Sequence, residues 1–156
     1  MAHEVSVTIT QQTDFQFLLD FGEGRPPLLA DESPPLGKGQ GPTPNQLLAA
    51  AVGNCLSASL LFALRKYKQD PGGITTTATC TIDRNEKGRL RVHRIDVQIR
   101  LGRAAAELAH AERAFAQFED FCTVTASVRQ GIPIGIRVID ASGTVVHTAN
   151  APARAA

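Results

Sequence analysis

The sequence predicts an α+β fold in which antiparallel sheets wrap a long central helix. Three observations lead there. Residues 41–68 (GPTPNQLLAAAVGNCLSASLLFALRKYK) read as one helix with no charge between Leu47 and Leu64. Segments of period-two alternation come in hairpin runs on both sides of it. Only one other long helical pattern, over 102–121, interrupts them. Strands that arrive in runs, rather than singly between helices, favour antiparallel sheet over a βαβ arrangement.

The helix carries its own start signal. Thr43 can cap, Pro44 suits the first helical position, and Gln46 sits where a capping box wants Glu or Gln. At 100° per residue Leu48, Ala51, Val52, Ala58, Ser59 and Phe62 share the face of Cys55, while Leu60 and Leu64 lie opposite with Gly53. A helix apolar nearly all round is expected to be buried on every side. A single sheet cannot cover it, so either the sheet curls or a second chain supplies the other face, and a tightly intertwined homodimer is expected.

Ahead of the helix, residues 4–10 alternate Val5, Val7 and Ile9 with polar partners, and 14–21 alternate Phe15, Phe17, Leu19 and Phe21. A half-buried hairpin turning at 11–13 is expected. Residues 22–42 form a Gly- and Pro-rich loop with a short extended piece at Leu28 and Leu29. A loop of that length within a compact domain is unusual and often functional.

Beyond the helix, Asp70, Pro71, Gly72 and Gly73 force a stop. Ile74, Thr76, Ala78, Cys80 and Ile82 then share one face of a strand, and 85–88 turns it back. On the return strand the apolar phase slips by one residue at His93–Arg94, which predicts a bulge. The stripe Ala104, Leu108, Ala111, Phe115 and Phe118 predicts one amphipathic helix over 102–121, with Cys122 in phase at its end. A short helix over 123–130 closed by Gly131, and a strand pair over 132–148, complete the chain. One domain over 1–150 is expected, with a frayed tail at 151–156.

Composition narrows the function classes. Sixteen basic residues balance fifteen acidic ones, without a basic run or a single Trp, so no nucleic-acid partner is expected. The opening residues lack the layout of a signal peptide, and a cytoplasmic, reducing setting is expected. The uncharged run 47–64 is only at the lower edge of a membrane-spanning length. Gly53, Asn54, Ser57 and Ser59 dilute it, so a core helix is the better reading and no membrane partner is expected.

Three widely spaced cysteines in a reducing setting are reactive or buried thiols rather than permanent staples. Cys80, on the apolar face of a strand, reads as a small hydrophobe. Cys55, among Ala and Leu, reads first as packing. It lies about three turns, ~17 Å, from the capped end, too far for the helix dipole to activate it. A reactive Cys55 therefore needs a cation from elsewhere, and the loop residues Arg25 and Lys38 are the suppliers. Cys122 precedes a helix start, where unpaired amides favour a thiolate, although the apolar stripe alone also accounts for it. The four His are scattered and no CxxC is present, so no metal site is expected, and no cofactor is implied.

The segments PTPNQLLAAAVGNCLSASL and FCTVTASVRQGIPIGIRV resemble the OsmC/Ohr family, the osmotically inducible protein C and organic hydroperoxide resistance proteins. The order of elements matches from about Val5 to Val146. The resemblance implies an intertwined homodimer with sites at the subunit interface, and two thiols that reduce organic hydroperoxides. It assigns Cys55 as the attacking thiolate and Cys122 as the resolving thiol, the pair closing to a disulfide that a dithiol or lipoyl-bearing protein reduces. It also implies an activating Arg, for which Arg25 is the candidate. Asn45, in a supporting role, stands where peroxidases of the family commonly carry Glu. Leu48, Val52 and Phe62 are expected to line an apolar substrate pocket. The rival readings are a non-catalytic binding protein holding a small apolar or thiol-containing ligand, and a redox sensor.

Overall fold

The computed structural model describes residues 1–150, in two compact units, 1–48 and from Ala49 onward. The expectation for the tail at 151–156 lies outside the described residues.

The first unit is a three-stranded antiparallel sheet, β1 (Thr8–Thr13), β2 (Gln16–Asp20) and β3 (Leu28–Ala30), in that order. Ile9 faces Leu19, and Phe17 faces Ala30. The hairpin turns at Asp14–Phe15 rather than at 11–13. Asp14 takes a left-handed φ of 49°, and its carbonyl accepts from Gln11 Nε2 at 3.0 Å. Asp and Asn tolerate that conformation better than most residues, so the turn settles there. The expected half-burial of β1 is not met, since Val5, Val7 and Ile9 are all exposed. Burial lies instead on β2, at Leu19 and at the polar Gln16.

The long loop is ordered around one buried carboxylate. Asp31 Oδ2 accepts from Lys38 N at 3.2 Å, Gln40 N at 3.1 Å and Gln16 Nε2 at 3.2 Å, while Oδ1 accepts from Glu32 N at 2.8 Å. Those donors answer the cost of burying a charge. Gly37 is required beside it, because any Cβ there would collide with the Glu32 carbonyl and the Asp31 carboxylate.

Helix α1 (Pro44–Lys66) begins with the expected capping box. Gln46 N donates to Thr43 Oγ1 at 3.3 Å and Thr43 N to Gln46 Oε1 at 2.9 Å. By length and composition α1 could cross a membrane. Here Val52, Leu56, Leu60 and Leu64 are fully buried, each worth about 1.5–3 kcal/mol relative to exposure. Burial is not all-round, however. Ala50, Ala51, Asn54, Ala58 and Phe62 leave one flank of the helix exposed on this chain.

In the second unit α1 packs on a four-stranded sheet, β4 (Ile74–Arg84), β5 (Leu90–Leu101), β6 (Ile134–Ile139) and β7 (Val145–Ala149), in that order. The Ser57 and Thr76 hydroxyls meet at 2.6 Å. Gly53 lets the two elements approach, since a Cβ there would stand 3.1 Å from that of Ala78. The predicted bulge is present: Thr81 faces Arg94 and Ile82 faces Val92, which makes His93 the inserted residue.

Two expectations are corrected. The sheet is mixed rather than wholly antiparallel, because β5 and β6 run parallel, Ile95 facing Ile134 and Val97 facing Ile136. A parallel pair needs a crossover, and 102–133 supplies it. That crossover is also not one helix. It comprises a 3-10 turn (Ala105–Glu107), α2 (Ala111–Gln117), a second 3-10 turn (Phe118–Phe121) and α3 (Thr123–Val128). The break falls at His110, left-handed at φ 59°. The side chain of Gln69 accepts the amide of Ala109, which a continuous helix would have given to a carbonyl of its preceding turn, and Asp140 Oδ2 accepts the amide of Ala105. Ala104 is only half-buried, but Leu108, Ala111, Phe115, Phe118 and Cys122 are all buried, so the stripe holds from Leu108 onward although the helix does not.

Candidate active site

The second unit brings Cys55 and Cys122 together. Cys55 lies midway along α1 and is half-buried, whereas Cys122 is fully buried as the residue that caps α3. The two thiols are near enough for Cys55 to act on the titration of Cys122. Burial pushes the Cys122 thiol above its ordinary pKa, and its contact with Cys55 pushes the same way. Thr125 opposes this, with Oγ1 2.9 Å from the Cys122 sulfur and its amide donating to that sulfur at 3.4 Å. Burial wins, so Cys122 keeps its proton, which it donates to Thr125 Oγ1.

The surroundings are aromatic. Phe121 directly precedes Cys122 and lies edge-on to Phe62, ring centroids 5.2 Å apart. Phe62 is 54% exposed and Phe121 39%, so the two rings form an apolar surface open to solvent. Lys66 Nζ sits 4.8 Å from the Phe121 centroid, within cation–π range.

The remaining predicted site residues lie as follows. Leu48 is half-buried, and Val52 is fully buried with no surface of its own to offer a ligand. Asn45 is exposed in the first turn of α1. In the first unit, Arg25 pairs with Glu23 and donates to the carbonyls of Phe21 at 3.2 Å and Gly22 at 3.4 Å. Lys38 Nζ lies 3.6 Å from Asp14 Oδ2. Cys80 is half-buried on β4, and burial raises its thiol pKa. Among the described residues no group of three or more His, Cys, Asp or Glu side chains is placed to hold a metal ion.

Sequence reasoning passed over Phe121, Lys66 and Thr125. Thr125 had a visible signal, three residues beyond Cys122, at the spacing of a helix cap and its amide partner. Lys66 stands one turn beyond Phe62. Phe121 falls outside the stripe, so only the fold shows that it meets Phe62.

The architecture, two sheets with one long helix and a broken helical crossover, recurs in solved structures. An OsmC-like protein from Vibrio cholerae matches with a TM-score of 0.73 at 18% identity, covering 88% of this chain and 100% of that one. An organic hydroperoxide resistance protein OsmC from Legionella pneumophila matches at 0.64 and 15% identity, over 88% and 98%. The organic hydroperoxide resistance protein OhrB of Bacillus subtilis matches at 0.64 and 15%, over 87% and 98%. None of the curated proteins compared matches in sequence. The OsmC-like protein family model matches residues 37–137, more than half of the chain. The chain belongs to the OsmC-like protein family.

Proposed function

We propose that this protein is a thiol-dependent peroxidase of organic hydroperoxides, working as a homodimer in a reducing cytoplasm. The observation that carries the reading is the meeting of the Cys55 thiol, midway along α1, with the buried Cys122 thiol that caps α3. The Cys55 thiolate attacks the terminal peroxide oxygen of ROOH. The O–O bond breaks, ROH leaves after taking a proton, and Cys55 becomes a sulfenic acid. The Cys122 sulfur then attacks Cys55, water leaves, and a disulfide remains. A dithiol, such as a lipoyl-bearing protein, reduces that disulfide and is itself oxidised to a disulfide. Phe62 and Leu48, both on the Cys55 face of α1, would favour alkyl over hydrogen peroxide. A second copy on the exposed flank of α1 completes the burial of that helix, and Arg25 is the candidate activating cation, with Asn45 supporting it.

Turnover of cumene hydroperoxide with a dithiol reductant tests the reading. Activity is expected in the wild type and absent in Cys55→Ser, while Cys122→Ser accumulates sulfenic acid on Cys55. Equal turnover with and without Cys55 would overturn it.

A second reading, a non-catalytic protein that binds a small apolar or thiol-containing ligand, draws on one observation. Both loop cations have acidic partners of their own, Arg25 in Glu23 and Lys38 in Asp14. In this case Cys55 alkylates at an ordinary thiol rate across pH, and no hydroperoxide is consumed.

A further inference from the structure

The turn that presents Cys122 is tied to β7 and to the end of α3 through one carboxylate. Phe118–Phe121 is a four-residue 3-10 turn between α2, of seven residues, and α3, of six. The 3-10 geometry makes poor hydrogen bonds, and helices this short do not persist alone. The turn itself gives the Cys122 backbone a single bond, from its N–H to the Glu119 carbonyl at 3.1 Å. The orientation of Cys122 must therefore come from ties outside the turn.

Glu119 supplies two of them. Its Oε1 lies 2.7 Å from His147 Nε2 on β7, and its Oε2 accepts from Arg129 Nη2 at 2.9 Å. Arg129 is the residue that ends α3, so the two ties bracket the segment holding Cys122 and Thr125. The His147 ring also meets Phe118 edge-on at 5.2 Å, beside the fully buried end of the apolar stripe. Only 17% of the Glu119 side chain is exposed, so this is not a loose surface pair.

We propose that Glu119 is a positioning residue for disulfide formation, its ties to His147 and Arg129 holding the 118–129 segment so that the Cys122 sulfur bears on Cys55. The role rests on the Cys55–Cys122 disulfide of the cycle proposed above. The two sulfurs must close to a bond of about 2.05 Å, and a misplacement of about an ångström can slow such a step by up to two orders of magnitude.

The test uses a chemical disulfide and a hydroperoxide in parallel, with peptide mapping to identify the sulfurs involved. With dithiobis(nitrobenzoate), the Cys55 thiolate attacks the reagent's S–S bond and one thionitrobenzoate leaves. Cys122 then loses its proton to solvent and attacks the Cys55 sulfur, and a second thionitrobenzoate leaves. Glu119→Gln should leave the first release unchanged and slow the second by about tenfold or more. In the hydroperoxide arm, Cys55 sulfenic acid should outlive that of the wild type when trapped with dimedone. Arg129→Ala, at a more exposed site, should reproduce part of the effect, and it decides the matter if Glu119→Gln does not fold. A second release as fast as in the wild type, or both releases slowed together, overturns the assignment. Two-step release without any sulfenic acid in the wild type sinks the peroxidase reading and leaves the role of Glu119 to the first arm.

Discussion

Thr125 holds the sulfur of Cys122 twice, with Oγ1 at 2.9 Å and its backbone amide at 3.4 Å. Both contacts favour the thiolate, against burial and the neighbouring Cys55, which favour the thiol. Thr125→Val removes the hydroxyl and keeps the shape. The Cys122 pKa should then rise further, and the midpoint of its alkylation rate against pH should move to higher pH. Mass-resolved alkylation with iodoacetamide measures this directly. A midpoint moving downward would contradict the balance of effects described here.

Gly53 sets the spacing between α1 and β4, since a Cβ would stand 3.1 Å from Ala78 Cβ and 3.5 Å from Thr76 Cγ2. Helix propensity favours Ala over Gly by about 1 kcal/mol, so Gly53→Ala sets that gain against a tight contact. Gly53→Val adds bulk that the strand cannot yield to, and overpacking of this kind costs about 1–3 kcal/mol. Urea unfolding should show Gly53→Val destabilised by that amount and Gly53→Ala closer to the wild type.

Phe62 and Phe121 form the edge-to-face pair beside the thiols. If they receive the organic part of the substrate, Phe62→Ala loses one aromatic contact, about 1 kcal/mol. The KM for cumene hydroperoxide should rise about fivefold, with a smaller change for tert-butyl hydroperoxide. Steady-state kinetics on the two substrates separates this from a general loss of activity.

Asp31 is held below the ordinary carboxylate range first by the Gln40 amide, with Gln16, Glu32 and Lys38 adding to it and burial opposing. Its folded pKa lies under its unfolded one. The stabilisation is therefore present in full above the ordinary value and disappears as pH falls through the depressed one. Unfolding midpoints should decline on acidification below about pH 4. Asp31→Asn should flatten that decline and speed hydrogen exchange at the Lys38 and Gln40 amides.

What the sequence disclosed follows from local chemistry. The capping box at Thr43 and Gln46, the bulge at His93 and the alternation along Ile74–Cys80 each rest on a few adjacent residues, and each is present. The buried stripe from Leu108 to Cys122 was legible for the same reason, because water is excluded from it whatever the backbone does. The break at His110 was not. It depends on Gln69, which is remote in sequence and reaches the Ala109 amide that a regular helix would have used itself. The parallel pairing of β5 and β6 was hidden likewise, since alternation reports which face is buried and not which way a neighbour runs. Cys55 and Cys122 were visible as candidates, but their meeting is a product of the crossover. The Glu119 ties escaped notice because an acidic residue near a helix end ordinarily faces solvent.

Helix α1 shows water a row of small side chains, Ala50, Ala51, Asn54 and Ala58, where its sequence promised an interior. With a second copy seated on that row, unfolding and dissociation become a single event, and the melting temperature climbs with protein concentration. Dilution alone would then weaken the structure that holds Cys55 in place, tying its chemistry to how much of the protein the cell makes.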